Sequence, residues 1–415
     1  MDTATTLLLS IFVMFVGARL AGELCERCGQ SAVVGELLVG IAVGPFALGW
    51  VGVPSQAMIE AYGGLAPATH ALESGYEILA QLGVILLLFV VGLETRLDDI
   101  LRVGVRALAV AAGGMTCSFA LVFGLSLLVG EAPPTAIFVA TALVATSIGI
   151  TARVMADLGI LGATEARVIL GAAIVDDILT LIALTLVSAL GSSGGISLAT
   201  IGLAIGEAVA FAGIVAVAGR HLVRRWGHRL AHLKMQSAPA SVATMLMLGL
   251  AVVSTQIGLA AIVGAFLAGT IFSEIREEYE LERQTQPVYD FLVPIFFVVT
   301  GSRVDWHVFL DGSLMLVALA LTALAVVGKL LGCGLGALSL GRRSAAIVGV
   351  GMVPRGEVSL IVATAGRSLG LIPQPMFSAI VIVVVLTTLV VPPSLTALAR
   401  SARAHVPRQR QAAPD

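Results

Sequence analysis

Thirteen long apolar segments dominate this chain of 415 residues and constrain its fold more than any other feature. A helix needs about 20 mainly apolar residues to cross the roughly 30 Å of hydrocarbon in a bilayer. Segments that approach or exceed this length lie at 5–21, 32–49, 77–93, 104–129, 134–156, 164–190, 197–219, 238–257, 259–273, 288–304, 308–338, 343–366 and 373–397. The division between the eighth and the ninth rests on the polar residues Thr255 and Gln256 alone. The pattern predicts an all-α, multi-pass membrane protein.

The composition excludes several classes of protein. Hydrophobic residues make up 58% of the chain and charged residues 12%, whereas soluble domains have about 45–50% and about 25%. A soluble enzyme, a nucleic-acid-binding protein and a disordered chain are therefore excluded. Cys25 and Cys28 form a CxxC pair, but no second pair or nearby histidine completes a metal site. We predict no cofactor, no enzymatic activity and a lipid bilayer as the surroundings.

The distribution of positive charge predicts the orientation. Cytoplasmic connections of membrane proteins carry an excess of Lys and Arg. With the N-terminus outside, all but four of the 24 Lys and Arg residues fall in inward connections or in the C-terminal tail. The four exceptions are Arg303 and Arg367, which fall outside, and Lys329 and Arg355, which lie within segments. We therefore predict thirteen helices with the N-terminus outside and the C-terminus in the cytoplasm.

The same count suggests an internal repeat. The most basic connection, 220–236, follows the seventh segment, so six segments precede a linker helix and six follow it. Because seven is odd, the second six begin from the opposite side of the membrane, which is the arrangement of an inverted repeat in secondary transporters. Residues 398–415 are basic and short, so no cytosolic nucleotide-binding domain is expected.

Charged side chains within the apolar segments are candidate functional groups, because each costs at least about 2.5–3.5 kcal/mol to insert. Adjacent carboxylates point about 100° apart on a helix. In a site of low dielectric they titrate as a coupled pair, which can exchange protons for a small cation. The four charged positions are Asp176 with Asp177, Lys329, Arg355 with Glu357, and Glu207.

Lys329 is one of two lysines in the chain and lies deep in the eleventh segment. We predict that it contacts one of the two aspartates. Two interpretations stay open at this stage: Lys329 exchanges a proton during the cycle, or it only neutralises one aspartate and joins two helices.

The fifth and twelfth segments hold equivalent positions in the two halves, and both are interrupted. Thr146 and Ser147 precede Gly149 in one, and Pro354 lies among glycines in the other. Paired interruptions of this kind indicate a transporter's binding site near the bilayer midplane. Thr146 and Ser147 could supply oxygen ligands or simple helix–helix hydrogen bonds. Arg355 and Glu357 could compensate the charges of the half-helix ends.

Two further charges lie near segment ends. Glu36 lies near the cytoplasmic end of the second segment and is interpreted as interfacial. Arg153 is counted in the inward connection 153–167.

Six stretches resemble the sequence motifs of one family and occur along the chain in the same order as in that family: VVGELLVGIAVGP, LLLFVVGLE, ATSIGITARVMADLG, ILGAAIVDDILTLI, VPIFFVVTG and GMVPRGEVSLIVA. They resemble the second family of the monovalent cation:proton antiporter superfamily, and within it the NapA-like bacterial sodium/proton antiporters. The resemblance implies a homodimer of thirteen-helix protomers. In it, a dimerisation domain of spans one, two, seven, eight and nine lies beside a six-helix core with two crossed, broken helices.

The resemblance also implies roles for particular residues. Asp177 corresponds to the aspartate that binds the cation and the proton, and Asp176 to the aspartate paired with a lysine, here Lys329. Thr146 and Ser147 correspond to the unwound segment, and Arg355 and Glu357 to its partner. Relatives with electroneutral exchange carry Asn in place of Asp176, so the Asp-Asp form implies electrogenic exchange.

These observations lead to one main hypothesis. The chain is predicted to be an electrogenic sodium (or lithium)/proton antiporter of the bacterial inner membrane, with Asp176 and Asp177 as sodium ligands and alternating access of the elevator type. Potassium/proton exchange on the same scaffold is an alternative, and an ion-gated sensor or channel-like protein is another of a different class. The predicted domains are 1–76 (dimerisation helices one and two), 77–190 (first half of the core), 191–287 (linker and dimerisation helices seven to nine), 288–397 (second half of the core) and 398–415 (cytosolic tail).

Overall fold

A computed structural model describes residues 3–191 and 238–404, apart from 29, 96, 258, 305, 306 and 308–311. Between 192 and 237 it describes only residues 206, 210, 211, 213–215, 217, 219, 221 and 225. Most of the predicted seventh span, including Glu207, therefore lies outside the described residues. The same holds for almost all of the basic connection 220–236 and for the tail beyond residue 404.

Every regular element in the described part of the chain is helical. The α-helices are α1 (Thr3–Arg27), α2 (Ala32–Val43), α3 (Gln56–Ala61), α4 (Leu65–Leu93), α5 (Leu97–Leu128), α6 (Pro133–Val144), α7 (Ile148–Asp157), α8 (Thr164–Gly191), α9 (Ala238–Gln256), α10 (Ala261–Phe272), α11 (Leu281–Ser302), α12 (Gly312–Gly336), α13 (Arg342–Gly351), α14 (Glu357–Ser368) and α15 (Gln374–Ala404). A short 3₁₀ helix, Leu338–Leu340, follows α12.

Seven stretches of the described helices are long and apolar enough to cross a membrane, and α2 and α10 are shorter apolar helices. One of the seven, Pro133–Asp157, runs across the break between α6 and α7, whereas the twelfth predicted segment, which is divided into α13 and α14, is not among them. The structure thus confirms an all-helical membrane protein, while the number of thirteen spans and the inverted repeat stay predictions.

The described helices pack into two groups. The first bundle consists of α1, α2, α4, α9, α10 and α11, in which α4 packs on α10 and α11, and α2 packs on α1 and α11. The second bundle consists of α5, α6, α7, α8 and α12–α15, in which α5 packs on α12, α8 and α6. In their packing, α4 and α11 go with the first bundle, although the sequence ranges grouped spans three and ten with the core. The domain ranges stay a prediction.

Glycines allow the main helices to approach closely. A Cβ atom at Gly113 of α5 would lie 2.5 Å from the carbonyl oxygen of Gly332 in α12, a separation that a side chain does not allow. Small residues at helix crossings favour association in membranes, where lipid does not drive helices together. Lys329 lies one turn before Gly332, so this crossing brings the lysine to the interior of the second bundle.

Short connections make successive helices run in opposite directions, which defines two ends of the bundle. We call the end where α1 begins the Thr3 end, and the end where α1 finishes the Arg27 end. Thr135 Oγ1 donates to Leu371 O at 2.7 Å at the Thr3 end, and Ser344 Oγ donates to Glu165 Oε1 at 2.6 Å at the Arg27 end. From the charge distribution, the Arg27 end is expected to face the cytoplasm.

Candidate functional site

Two interrupted helices cross in the second bundle. The first break separates α6 from α7 at residues 145–147, and the second separates α13 from α14 at residues 352–356. The Ser147 backbone N–H donates to Pro354 O at 2.7 Å, and Thr146 Oγ1 donates to Met352 O at 3.2 Å. A Cβ atom at Gly356 would lie 2.6 Å from Ser147 Oγ, so only glycine fits there without a shift. The predicted interruptions are present, and they contact each other directly.

Arg355 lies at this crossing and is fully buried. Its Nη1 donates to Val144 O at 3.0 Å and to Ala145 O at 3.1 Å, and its Nη2 donates to Ser118 Oγ at 3.3 Å. Val144 is the last residue of α6, where the backbone carbonyls have no partner within the helix and the helix dipole is negative. The guanidinium is therefore positioned to satisfy and neutralise this half-helix end.

Helix α15 holds the backbone of Arg355. The Arg355 N–H donates to Thr387 Oγ1 at 3.2 Å, and Thr388 Oγ1 donates to Arg355 O at 3.0 Å. Sequence reasoning missed both threonines, since hydroxyls in an apolar helix commonly bond to their own helix. Glu357 begins α14, and its side chain lies outside the described residues, so its compensating role stays a prediction.

Asp176 and Lys329 form a buried ion pair. Lys329 Nζ donates to Asp176 Oδ1 at 3.0 Å and to Oδ2 at 3.2 Å. The lysine is 0% and the aspartate 1% exposed. A buried pair that also hydrogen-bonds is stable only as a pair, because removing one partner leaves an uncompensated charge. The contact that the sequence predicted between these two residues is present in the structure.

Asp177 faces a different environment from its neighbour. It lines a cavity of about 650 Å³, together with Thr146, Ser147 and Gly356 of the two breaks. Adjacent positions on a helix point about 100° apart. Asp176 is therefore turned to the lysine in the interior, while Asp177 is turned to the cavity.

The cavity combines the groups that a small monovalent cation requires. Thr146 and Ser147 have hydroxyl oxygens, and Asp177 has a carboxylate. Because Thr146 Oγ1 uses its hydrogen to donate to Met352 O, its lone pairs are available to a ligand. Hard oxygen donors of this kind suit alkali cations. The structure thus brings Asp177, Thr146 and Ser147 together, with the Asp176–Lys329 pair directly behind them.

Two charges are more deeply placed than the sequence indicated. Arg153 belongs to α7 rather than to a connection and is 8% exposed, and Glu36 in α2 is 3% exposed. A count of positive charges near an inward connection does not distinguish an arginine in a loop from an arginine in the last turns of a buried half-helix. Both side chains are therefore enclosed by protein, and the interpretation of Glu36 as interfacial rather than ligating stays a prediction.

Comparisons with known proteins agree with this architecture. The family described as "Sodium/hydrogen exchanger, transmembrane" matches residues 10–401. The Na(+)/H(+)-K(+) antiporter GerN of Bacillus cereus is 37% identical, covering 93% of this chain and 94% of GerN. The high-affinity Na(+)/H(+) antiporter NhaS3 of Synechocystis is 34% identical, covering 95% and 90%. The sodium proton antiporter MjNhaP1 of Methanocaldococcus jannaschii shares the fold, with a TM-score of 0.66 at 18% identity over 100% of both chains.

The match spans nearly the whole chain, and the relatives are antiporters rather than enzymes. The family resemblance noted in the sequence is thereby confirmed at the level of the family. This membrane-spanning chain belongs to the sodium/hydrogen exchanger family of cation/proton antiporters.

Proposed function

We propose that this protein is an electrogenic sodium (or lithium)/proton antiporter of the bacterial inner membrane, with its ion site at Asp176 and Asp177. One observation carries the proposal: Asp177 lines the cavity at the crossed breaks, while adjacent Asp176 is held by Lys329 at 3.0 Å. Two carboxylates of one helix turn thus have different surroundings. Asp177 can bind a cation or a proton from the cavity, whereas Asp176 stabilises the charge of Lys329.

The exchange follows from competition at Asp177. A carboxylate in a site of low dielectric is stable when it is protonated or when it binds a cation. It does not hold both, so cation entry requires the proton to leave. Thr146 and Ser147 would complete the oxygen ligands, and the Asp176 carboxylate would contribute when a cation draws it from Lys329.

A second proton would make the exchange electrogenic. Lys329 is stabilised by Asp176, and a buried ammonium whose partner is withdrawn becomes an uncompensated charge. Loss of the Asp176 contact on cation binding would release a proton from Lys329. In a competing interpretation Asp176 carries this proton itself and Lys329 only supports the structure. Either way, one net charge moved across 100 mV exchanges about 2.3 kcal/mol with the membrane potential.

Alternating access would come from movement of one bundle against the other. The second bundle contains both breaks, Asp176, Asp177 and Lys329, so it would carry the ion site as a rigid body. The first bundle would stay in place, and its helices α1, α2, α9 and α10, together with the predicted seventh span, would form the homodimer. This arrangement is the elevator type of transport.

Potassium/proton exchange is the second candidate. The name of GerN, an Na(+)/H(+)-K(+) antiporter 37% identical to this chain, favours it. Oxygen ligands serve all three alkali cations, and site geometry decides among them.

Proteoliposome flux tests the proposal. Sodium, lithium and potassium gradients should be imposed in turn on vesicles containing the purified chain, with and without a potassium-independent membrane potential. We expect sodium- or lithium-driven proton movement that accelerates several-fold when the potential favours it. Flux driven by potassium alone would move the assignment to the second candidate, and flux indifferent to the potential would contradict electrogenic exchange.

Orientation provides a further expected outcome. Single cysteines at Glu60 of α3 and at Leu230 of the basic connection, in a chain with its native cysteines replaced, should react from opposite sides of the membrane. The physical reason is the excess of Arg and Lys on cytoplasmic connections. The measurement is labelling by a membrane-impermeant maleimide in vesicles of known orientation. Labelling of both positions from the same side would contradict the thirteen-span topology.

A further inference from the structure

The cavity beside Asp177 extends toward one end of the bundle. Near the Thr3 end it is lined by Glu77 of α4, by Thr255 at the end of α9 and by Arg303 directly after α11. Among the described residues, those lining it include none from the last turn of α7 or from the first turns of α8, α11 and α13, all at the Arg27 end. The ion site is therefore reached from the Thr3 end in this structure.

At the Arg27 end, a cluster of buried charges lies between the bundles. Arg153 Nε lies 2.9 Å from Asp157 Oδ1, and Arg153 Nη2 lies 3.9 Å from Glu36 Oε1. Ser31 Oγ donates to Asp157 Oδ2 at 2.7 Å, and the Arg153 guanidinium lies 5.3 Å from the ring centre of Tyr289. We call these five residues the gate cluster.

The gate cluster joins the two bundles, not helices of one bundle. Arg153 and Asp157 belong to α7 in the second bundle, whereas Glu36 belongs to α2 and Tyr289 to α11 in the first, and Ser31 caps the N-terminus of α2. Movement of the second bundle must therefore carry Arg153 and Asp157 together away from Glu36, Ser31 and Tyr289. A second ion pair provides a contrast within the first bundle: Arg19 Nη2 of α1 lies 3.4 Å from Asp290 Oδ1 of α11, and this pair would move as a unit.

The physical chemistry of buried ion pairs gives the gate cluster two stable arrangements. Arg153 keeps Asp157, which lies on the same helix, when the bundles move, but Glu36 loses Arg153. In a dry environment this leaves the Glu36 carboxylate uncompensated, so separation requires water to enter at the same time. Glu36 Oε2 is already buried without a hydrogen-bond partner in the described structure, and hydration would satisfy it. The gate cluster is thus either joined and dry or apart and hydrated.

We infer that the gate cluster closes the Arg27 end of the ion pathway and separates once in each transport cycle. The inference rests on the proposed function, because alternating access requires that one end be closed while the other is open. Arg153 acts here as a positioning residue: it does not contact the transported ion but sets which end of the pathway is open.

Site-directed labelling from both faces tests the gate. The probe is a single cysteine at Leu37, which lines the cavity next to Glu36, in the full chain with its native cysteines replaced. A membrane-impermeant maleimide is added from each side of vesicles of known orientation. The readout is the ratio of the labelling rate from the Arg27 end to that from the Thr3 end. Labelling needs no ion gradient, so it is independent of transport.

Glu36→Gln in this background keeps the shape of the side chain and removes its charge. We expect the labelling ratio to rise at least fivefold, because weaker joining of the bundles favours opening at the Arg27 end. Arg19→Gln is the matched control, since it breaks an ion pair at the same end within one bundle, and its ratio should change less than twofold. If Glu36 has only a structural role, the labelling rates from the two ends should change together, and their ratio should not rise.

Ser31→Ala keeps the test decisive if Glu36→Gln does not fold, because it removes no charge. It removes the hydrogen bond to Asp157 and the weak N-cap acceptor of the Val33 N–H, which lies 3.4 Å from Ser31 Oγ. A ratio at least twofold above that of Arg19→Gln is expected. If the folded variants give the ratio of Arg19→Gln while exchange activity persists, the gate is overturned. A shifted ratio in a chain without cation–proton exchange would support the gate and contradict the proposed function alone.

Discussion

Asp177→Asn should abolish cation–proton exchange while leaving the protein folded and inserted in the membrane. Asn has nearly the same shape as Asp, so the packing around the cavity should change little. However, it has no negative charge to bind a cation and no proton to release in the physiological range. The measurement is sodium-driven proton movement in proteoliposomes, and we expect a fall to the level of protein-free vesicles.

A matched control uses the same chemical change at another site. Asp290→Asn removes a partly exposed carboxylate of the first bundle, which is paired with Arg19 and is not among the residues that line the cavity. Its activity should stay within about twofold of the unmodified chain, since an exposed ion pair contributes at most about 1 kcal/mol. Thermal melting and gel filtration of both variants report folding. Substantial sodium-coupled proton flux in folded Asp177→Asn would remove Asp177 from the proposed site.

Lys329→Gln should convert electrogenic exchange into electroneutral exchange if the lysine carries the second proton. Gln keeps a hydrogen-bond donor toward Asp176 but cannot gain or lose a proton. Each cation would then exchange for one proton at Asp177, and no net charge would cross the membrane. The measurement is the response of flux to an imposed potential, which should disappear. Exchange that still accelerates with the potential would make Lys329 structural and assign the second proton to Asp176.

Lys329→Gln on its own should also destabilise the protein. It leaves Asp176 buried without its cation, and loss of one partner of a buried pair typically costs about 3–5 kcal/mol. The double variant Asp176→Asn with Lys329→Gln removes both charges together and should recover most of that loss. If the lysine is the carrier, the double variant should exchange one proton per cation without response to the potential. Recovery of folding together with voltage-dependent exchange would contradict the carrier role of both residues.

Part of the candidate site could be predicted because charges in lipid are expensive. Asp176, Asp177, Lys329 and Arg355 lie within strongly apolar segments, so their cost alone marks them as candidates. A contact between Lys329 and one of the two aspartates follows from the same cost, because a buried charge needs a partner; the family resemblance implied that this aspartate is Asp176. The structure adds which carboxylate faces which environment. That division depends on the rotation of α8 relative to α12, which a linear sequence does not contain.

Other parts could not be predicted from residue type and spacing. Arg153 and Glu36 occur near segment ends, where exposed charges are common, and their burial results from the packing of α7 against α2. Likewise, Thr387 and Thr388 contact Arg355 only because α15 passes beside the second break. Sequence neighbours of these residues give no sign of the contact, since hydroxyls occur in many apolar helices.

The sequence by itself determined that this chain spans a membrane as a helical protein with two interrupted segments and a carboxylate pair opposite a single deep lysine. These properties depend on the transfer of individual side chains and backbone groups into hydrocarbon, which is local in the chain. Only the tertiary structure decided that α4 and α11 pack with the first bundle, that Arg355 caps α6, and that Arg153 joins the two bundles. These contacts connect residues tens to hundreds of positions apart, and their energies depend on geometry that arises only when the helices are packed.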